Sequence, residues 1–197
     1  MILAASMASQ LHNALARPPI VPPLEGDLPD LRASSEVAAA VLIAITDRAE
    51  PGLILTVRRE DMRTHAGQVA FPGGRIDPGE EAIAAALREA EEEILLSPAE
   101  VEVIGVIEDY RTITGYLVTP VLGVIPPDLP LEPHEREVAD LFEAPLSFLI
   151  DPANQQRRET LVAGEVRHYY EIIWNDRRIW GATAAMIVNL SRRLQWS

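Results

Sequence analysis

Apolar residues come in short, dense runs over most of this chain, and the spacing inside each run sets the element it predicts. Val37 to Thr46 and Leu53 to Arg59, rich in Val, Ile and Leu, read as strands with Pro51-Gly52 turning between them. Gln68 to Phe71 reads as a short strand, and Val101 to Ile107 and Tyr116 to Val124 as two more. The prolines at 126, 127 and 130 mark a loop, Glu135 to Phe142 fits a short helix, and Tyr169 to Trp174 with Arg178 to Trp180 fits a hairpin around Asn175-Asp176. Ala184, Ile187, Leu190 and Leu194 recur at helical spacing and predict a closing amphipathic helix. Residues 1–35 differ. A helical segment around Leu11 to Ala16 gives way to Pro18, Pro19, Pro22 and Pro23, which predicts an extended, peripheral, proline-rich arm ahead of one domain over residues 36–197. No internal repeat is visible. Strands, one long helix, more strands and a final helix make an α+β chain with a mixed sheet between helices.

The long helix carries the chemistry. On a wheel of about 100° per residue, Ile83, Leu87, Ala90 and Ile94 form a stripe that predicts the packing face, and Glu89, Glu92 and Glu93 fall on the far side. Asp77, Pro78 and Glu80 suit the N-cap, first and third positions, so the helix is expected to start there and aim its positive end at Gly73-Gly74. Like charges at this spacing destabilise a helix. An acidic solvated face is the plain reading of such a run, but it leaves Gly73-Gly74 and Arg88 unexplained. A divalent metal that bridges to an anionic substrate explains all of them.

These residues resemble the Nudix hydrolase box. Gly74, Glu80, Arg88, Glu89, Glu92, Glu93 and Leu96 stand at its positions. Ala90 is small where the box has a bulky aliphatic residue. Leu95 replaces the glycine that usually ends the helix in a left-handed conformation, which leucine disfavours. The helix is therefore expected to run on toward Ser97-Pro98.

The residues before the box are similar to the upstream signature of the coenzyme A pyrophosphatase branch of that family: Leu55-Thr56-Val57-Arg58, then Arg63, His65, Gly67-Gln68 and Phe71-Pro72-Gly73-Gly74, with Arg59 where a small residue is more usual. Gly115 to Val121 and Glu135-Arg136-Glu137-Val138 also look like this branch, so the resemblance covers roughly residues 36 to 190. It implies an α/β/α sandwich and hydrolysis of the pyrophosphate bond of coenzyme A or a derivative, giving 4′-phosphopantetheine and adenosine 3′,5′-bisphosphate.

Magnesium, or manganese, favours hard oxygen ligands and bridges carboxylates to phosphates. The implied ligands are Glu89, Glu92 and Glu93, with the carbonyl of Gly73. Glu89 and Glu93, one turn apart, are the best placed, while Glu92 is open between a second ion and a base. Arg88 is expected to pair with Glu80 and brace the loop. Arg58 and Arg63 are candidates for gripping phosphate, or are exposed arginines of a strand and loop. Phe71 and Gly74 join them as substrate-binding positions by the resemblance. His65 reads as an ordinary loop histidine. The base is open between the box and a carboxylate outside it, Glu108 or Glu137. Two alternatives remain: a Nudix enzyme for another nucleoside diphosphate compound, such as ADP-ribose, NADH or a dinucleoside polyphosphate, and a Nudix-fold module that binds without cleaving.

Composition trims the field. With 17 basic and 30 acidic residues in 197, the net charge of −13 argues against nucleic acid as a partner. Without cysteine there is neither disulfide nor thiolate chemistry. No signal-peptide pattern opens the chain and no apolar run approaches a membrane span, so the cytoplasm is the expected location. A homodimer is possible through the arm or the closing helix.

Overall fold

The computed structural model describes residues 6–27, 36–61, 67–162 and 164–194. In chain order the elements are α1 (Met7–Leu15), β1 (Val37–Thr46), β2 (Gly52–Arg58), β3 (Val69–Ala70), β4 (Gly73–Arg75), α2 (Ala82–Ile94), β5 (Glu102–Val106), β6 (Tyr110–Arg111) and β7 (Tyr116–Ile125). They continue with β8 (Val138–Pro145), α3 (Leu146–Ile150), β9 (Gln156–Val162), β10 (Glu165–Trp174), β11 (Arg177–Trp180) and α4 (Ala182–Leu194). β1 and β7 pair in parallel over their whole length, and antiparallel strands extend this centre on both sides into an eight-stranded mixed sheet. β9, β10 and β11 form a separate antiparallel sheet.

The central strand β1 is buried on both faces, and its alternation separates two cores. Ala40, Leu42 and Ala44 point to α2, where they meet Ala85, Ala86, Ala90 and Ile94. Ala39, Ile43 and Ile45 point the other way, to a larger core filled by Met186, Ile187 and Leu190 of α4 and Leu11 of α1. Each fully buried Leu or Ile contributes about 1.5–3 kcal/mol. The result is the expected α/β/α sandwich.

Four expectations are corrected by this packing. α2 starts at Ala82, because Asp77 to Glu80 closes a turn in which the Glu80 amide donates to the Asp77 carbonyl at 2.9 Å. Its packing face is built on alanines. Ile83 is 38% exposed, since small side chains at 85, 86 and 90 let the helix lie close to the sheet. The helix ends at Ile94, and Leu95 itself takes the left-handed conformation (φ 55°, ψ 27°) while Leu96 turns inward and is buried. Finally, Glu135 to Phe142 is not helical. β8 begins at Val138 and pairs antiparallel with β2 from Gly52↔Pro145 to Arg58↔Val138.

The N-terminal segment is less peripheral than its prolines suggest. Leu11 is fully buried, and Asn189 of α4 holds both backbone groups of Leu24, accepting from its N–H at 2.7 Å and donating to its carbonyl at 2.9 Å. Among the described residues no helix is long and apolar enough to cross a membrane.

Candidate active site

Three elements converge on one carboxylate. β4 brings the backbone N–H of Gly73 to Oε2 of Glu93 at 3.1 Å. β2 ends in Arg58, whose Nη1 lies 3.8 Å from Oε1 of the same residue. α2 supplies Glu93 itself, which is 4% exposed and so lies at the edge of the packing face rather than opposite it. Burial pushes its pKa up to about 7; the Gly73 amide and Arg58 pull it down, and the neighbouring charges of Glu89 and Glu137 push it further up.

The glycines are required by this closeness. A Cβ on Gly73 would lie 2.4 Å from the Ala40 carbonyl oxygen and 2.6 Å from Val41 Cα. A Cβ on Gly74 would lie 2.4–2.5 Å from the carboxylate atoms of Glu89, so that carboxylate rests against bare backbone.

Arg88 organises the remaining acids. Its Nε and Nη2 donate to the two oxygens of Glu80 at 2.9 and 3.0 Å, and Nη2 also donates to the Arg75 carbonyl at 3.0 Å. Nη1 donates to Glu89 Oε1 at 2.8 Å and sits 3.5 Å from Glu92 Oε2. These bonds hold the Glu80 pKa down at about 2, chiefly through the Arg88 guanidinium. Glu80 also accepts from the Asp77 N–H at 3.0 Å, so the Arg88–Glu80 pair fastens the turn to the helix.

The cleft beside this helix has a volume of about 280 Å³ and is lined by Glu89, Glu92, Glu93, His134 and Glu137. The loop ahead of β8 builds its far wall. The His134 N–H donates to the Glu93 carbonyl at 2.8 Å, and Arg59 anchors the loop with N donating to the Glu137 carbonyl at 3.2 Å and Nη1 to the Glu135 carbonyl at 2.6 Å. Of the two outside carboxylates, Glu137 thus stands in the cleft. Glu108 is engaged by Arg193 of α4 and does not line it. Phe71 is buried in the larger core, so its side chain supports the glycine turn from behind. Arg63 and His65 lie outside the described residues. His134 was missed in the sequence; its only signal was its position directly before Glu135-Arg136-Glu137.

The donor set suits a divalent cation: four carboxylates crowd one small cleft with hard oxygens, and one of them is buried. As they stand, no three of these groups among the described residues converge on a single point. Arg88 Nη1, between Glu89 and Glu92, holds the place that shared coordination by those two would need.

The fold and this helix-borne carboxylate set define the class. The NUDIX domain model matches residues 36–163, and the chain belongs to the Nudix family of pyrophosphohydrolases, which work with divalent metal. It is 46% identical over 157 residues to the uncharacterized Nudix hydrolase NudL of Escherichia coli (strain K12), a match covering 79% of this chain and 82% of that one. The corresponding protein of Shigella boydii serotype 4 is 45% identical over the same length. Among solved structures, the Nudix hydrolase RenU from M. smegmatis shares the fold, with a TM-score of 0.51 and 24% identity over 59% of this chain and 74% of that one.

Proposed function

We propose that this pyrophosphohydrolase cleaves the diphosphate bridge of coenzyme A or a derivative, with magnesium as its ion and manganese as a substitute. The observation that carries the reading is the meeting of the two motifs at Glu93. Gly73 and Arg58, from the upstream signature, contact the carboxylate that the box helix supplies. An upstream run that merely built a strand would have no reason to end on that group.

Glu89, Glu92 and Glu93, with the Gly73 carbonyl, would hold the ion, which when bound neutralises the diphosphate and activates water. Arg58 grips a phosphate oxygen through its planar fork. Glu137, reaching the cleft from outside the helix, takes the proton of the attacking water. The water oxygen bonds to one phosphorus as the bridging P–O bond breaks, and the bridging oxygen leaves with the other phosphate. For coenzyme A the products are 4′-phosphopantetheine, or its acyl form, and adenosine 3′,5′-bisphosphate. Arg88 and Glu80 keep the glycine turn and helix in register.

A second reading is favoured by the cleft's lining. Among the described residues it holds four carboxylates and His134 and no guanidinium for the 3′-phosphate that sets coenzyme A apart, so ADP-ribose, NADH or a dinucleoside polyphosphate would meet the same groups through the shared diphosphate. Mass analysis of products from coenzyme A, dephospho-coenzyme A, ADP-ribose and NADH, run in parallel with magnesium, separates the two. Fastest release of phosphopantetheine from coenzyme A supports the first reading. Faster turnover of another substrate removes coenzyme A and leaves the chemistry.

A further inference from the structure

A second cavity, larger than the carboxylate cleft, lies elsewhere. It measures about 500 Å³ and lies on the α4 side of the large sheet, between the β9–β10 hairpin, α4 and the N-terminal segment. It shares no lining residue with the carboxylate cleft. Arg157, Arg167 and Arg192 line it together with Tyr110, Tyr169 and Tyr170. Tyr110 is buried, and Tyr169 lies on the far face of the hairpin with its ring against Arg178 and Trp180, so Tyr170 is the ring on the cavity side. Arg157 and Tyr170 are direct cross-strand partners, so they stand side by side on one face of the hairpin.

Its charge runs against that of the chain. The protein carries −13 overall, yet among the described residues this lining has three guanidiniums and a single carboxylate, Asp27. That carboxylate is already taken, accepting from the Tyr110 hydroxyl at 2.6 Å and the Ile113 N–H at 2.8 Å. His168 also lines the cavity and faces Glu159 at 3.5 Å. Among the described residues Arg192 has one hydrogen-bond partner, donating from Nη1 to the Pro22 carbonyl at 2.6 Å, and its other guanidinium nitrogens are offered to a ligand. Arg157 is exposed on its strand. Guanidiniums bind phosphate through paired N–H groups, and tyrosine rings stack with planar heterocycles. The volume falls within the range of small-molecule sites.

The geometry points to a second, non-hydrolytic site that binds a phosphate-bearing nucleotide between the β9–β10 hairpin and α4. It is independent of the hydrolytic reading, because it uses none of the same residues and needs no metal. Arg157 and Arg192 hold the phosphate, and Tyr170, beside Arg157, receives the base.

The test is equilibrium dialysis of the full-length protein with radiolabelled AMP in a metal chelator, beside labelled inorganic phosphate. The expected result is about one equivalent of AMP bound, at least about tenfold tighter than phosphate, with Arg157→Glu weakening it by about tenfold or more and Glu93→Gln leaving it intact. The circular dichroism and melting temperature of Arg157→Glu should match the parent, since its side chain is exposed. Binding lost in Glu93→Gln but kept in Arg157→Glu places the nucleotide in the carboxylate cleft and overturns the proposal. Absence of AMP binding, or equal affinity for phosphate and AMP, overturns it as well.

Discussion

Replacing Glu93 with glutamine should stabilise the metal-free protein at neutral pH while abolishing its chemistry. In the folded chain the carboxyl has its pKa raised from 4.5 to about 7, chiefly by burial. Between those values the folded state keeps a proton that the unfolded state has lost, so stability falls as pH rises through the window and levels off above it. At about 1.4 kcal/mol per pH unit the full loss is about 3 kcal/mol, a net figure in which the pull of Gly73 and Arg58 toward the charged form is already counted. Glutamine keeps the shape, can still accept from the Gly73 N–H, and does not titrate. Thermal unfolding in chelator from pH 4.5 to 8.5 reads this directly. Glu93→Gln should match the parent at the acid end and melt higher at pH 8 by about 6–12 °C, given about 2–4 °C per kcal/mol for a chain of this size. Magnesium at pH 8 should raise the parent's melting temperature and leave the variant's unchanged, and hydrolysis should fall by about two orders of magnitude or more. Parallel melting profiles for parent and variant across the whole range would refute the burial argument. Intact hydrolysis would refute the ligand assignment.

The two adjacent glycines should fail differently. Gly73→Ala presses on backbone atoms that cannot yield and should cost about 3 kcal/mol or more, seen as an early denaturant midpoint. Gly74→Ala presses on the movable end of Glu89, so it should unfold near the parent's midpoint yet lose most activity and magnesium response. Leu95→Gly relieves a left-handed conformation worth about 1–2 kcal/mol to leucine. The side chain is 55% exposed, so the lost contacts offset only part, and the melting temperature should rise by about 2 °C. Glu137→Gln should lower kcat by about a hundredfold or more. Glu108→Gln should keep kcat and lower the melting temperature by a few degrees, because that carboxylate ties Arg193 of α4 to the sheet.

How far the sequence could be read depended on how far apart the contacting residues are. The box helix was legible because its residues report on one another within a few turns, and so was the brace between Arg88 and Glu80. The start of that helix was misplaced because Glu80 bonds the Asp77 N–H from a turn, which imitates a capping box without being helical. The packing face was misjudged because the close approach of α2 to β1 belongs to the sheet, and the sheet decides that alanines rather than Ile83 are covered. Val138, Leu141 and Phe142 fall at helical i, i+3, i+4 spacing, and the pairing with β2 overrides that local signal. Glu137 and Glu108 looked equivalent as bases; the loop that brings Glu137 in and the helix that captures Glu108 lie far away in the chain. The pairing of Asn189 with Leu24 had no local signal at all.

That last contact lies wholly outside the NUDIX domain match. The match closes at residue 163, before β10, β11 and α4 begin. Yet Ala184, Ile187 and Leu190 of α4, outside that stretch, seal one whole side of the central sheet, and Asn189 recruits the proline-rich segment from the opposite end of the chain to lie over it. A protein trimmed to its recognisable portion would keep every box carboxylate and expose half of its interior to water. The box and its shield are therefore one unit, and moving residues 36–163 alone into another protein would transplant the chemistry without the lid of apolar residues it rests on.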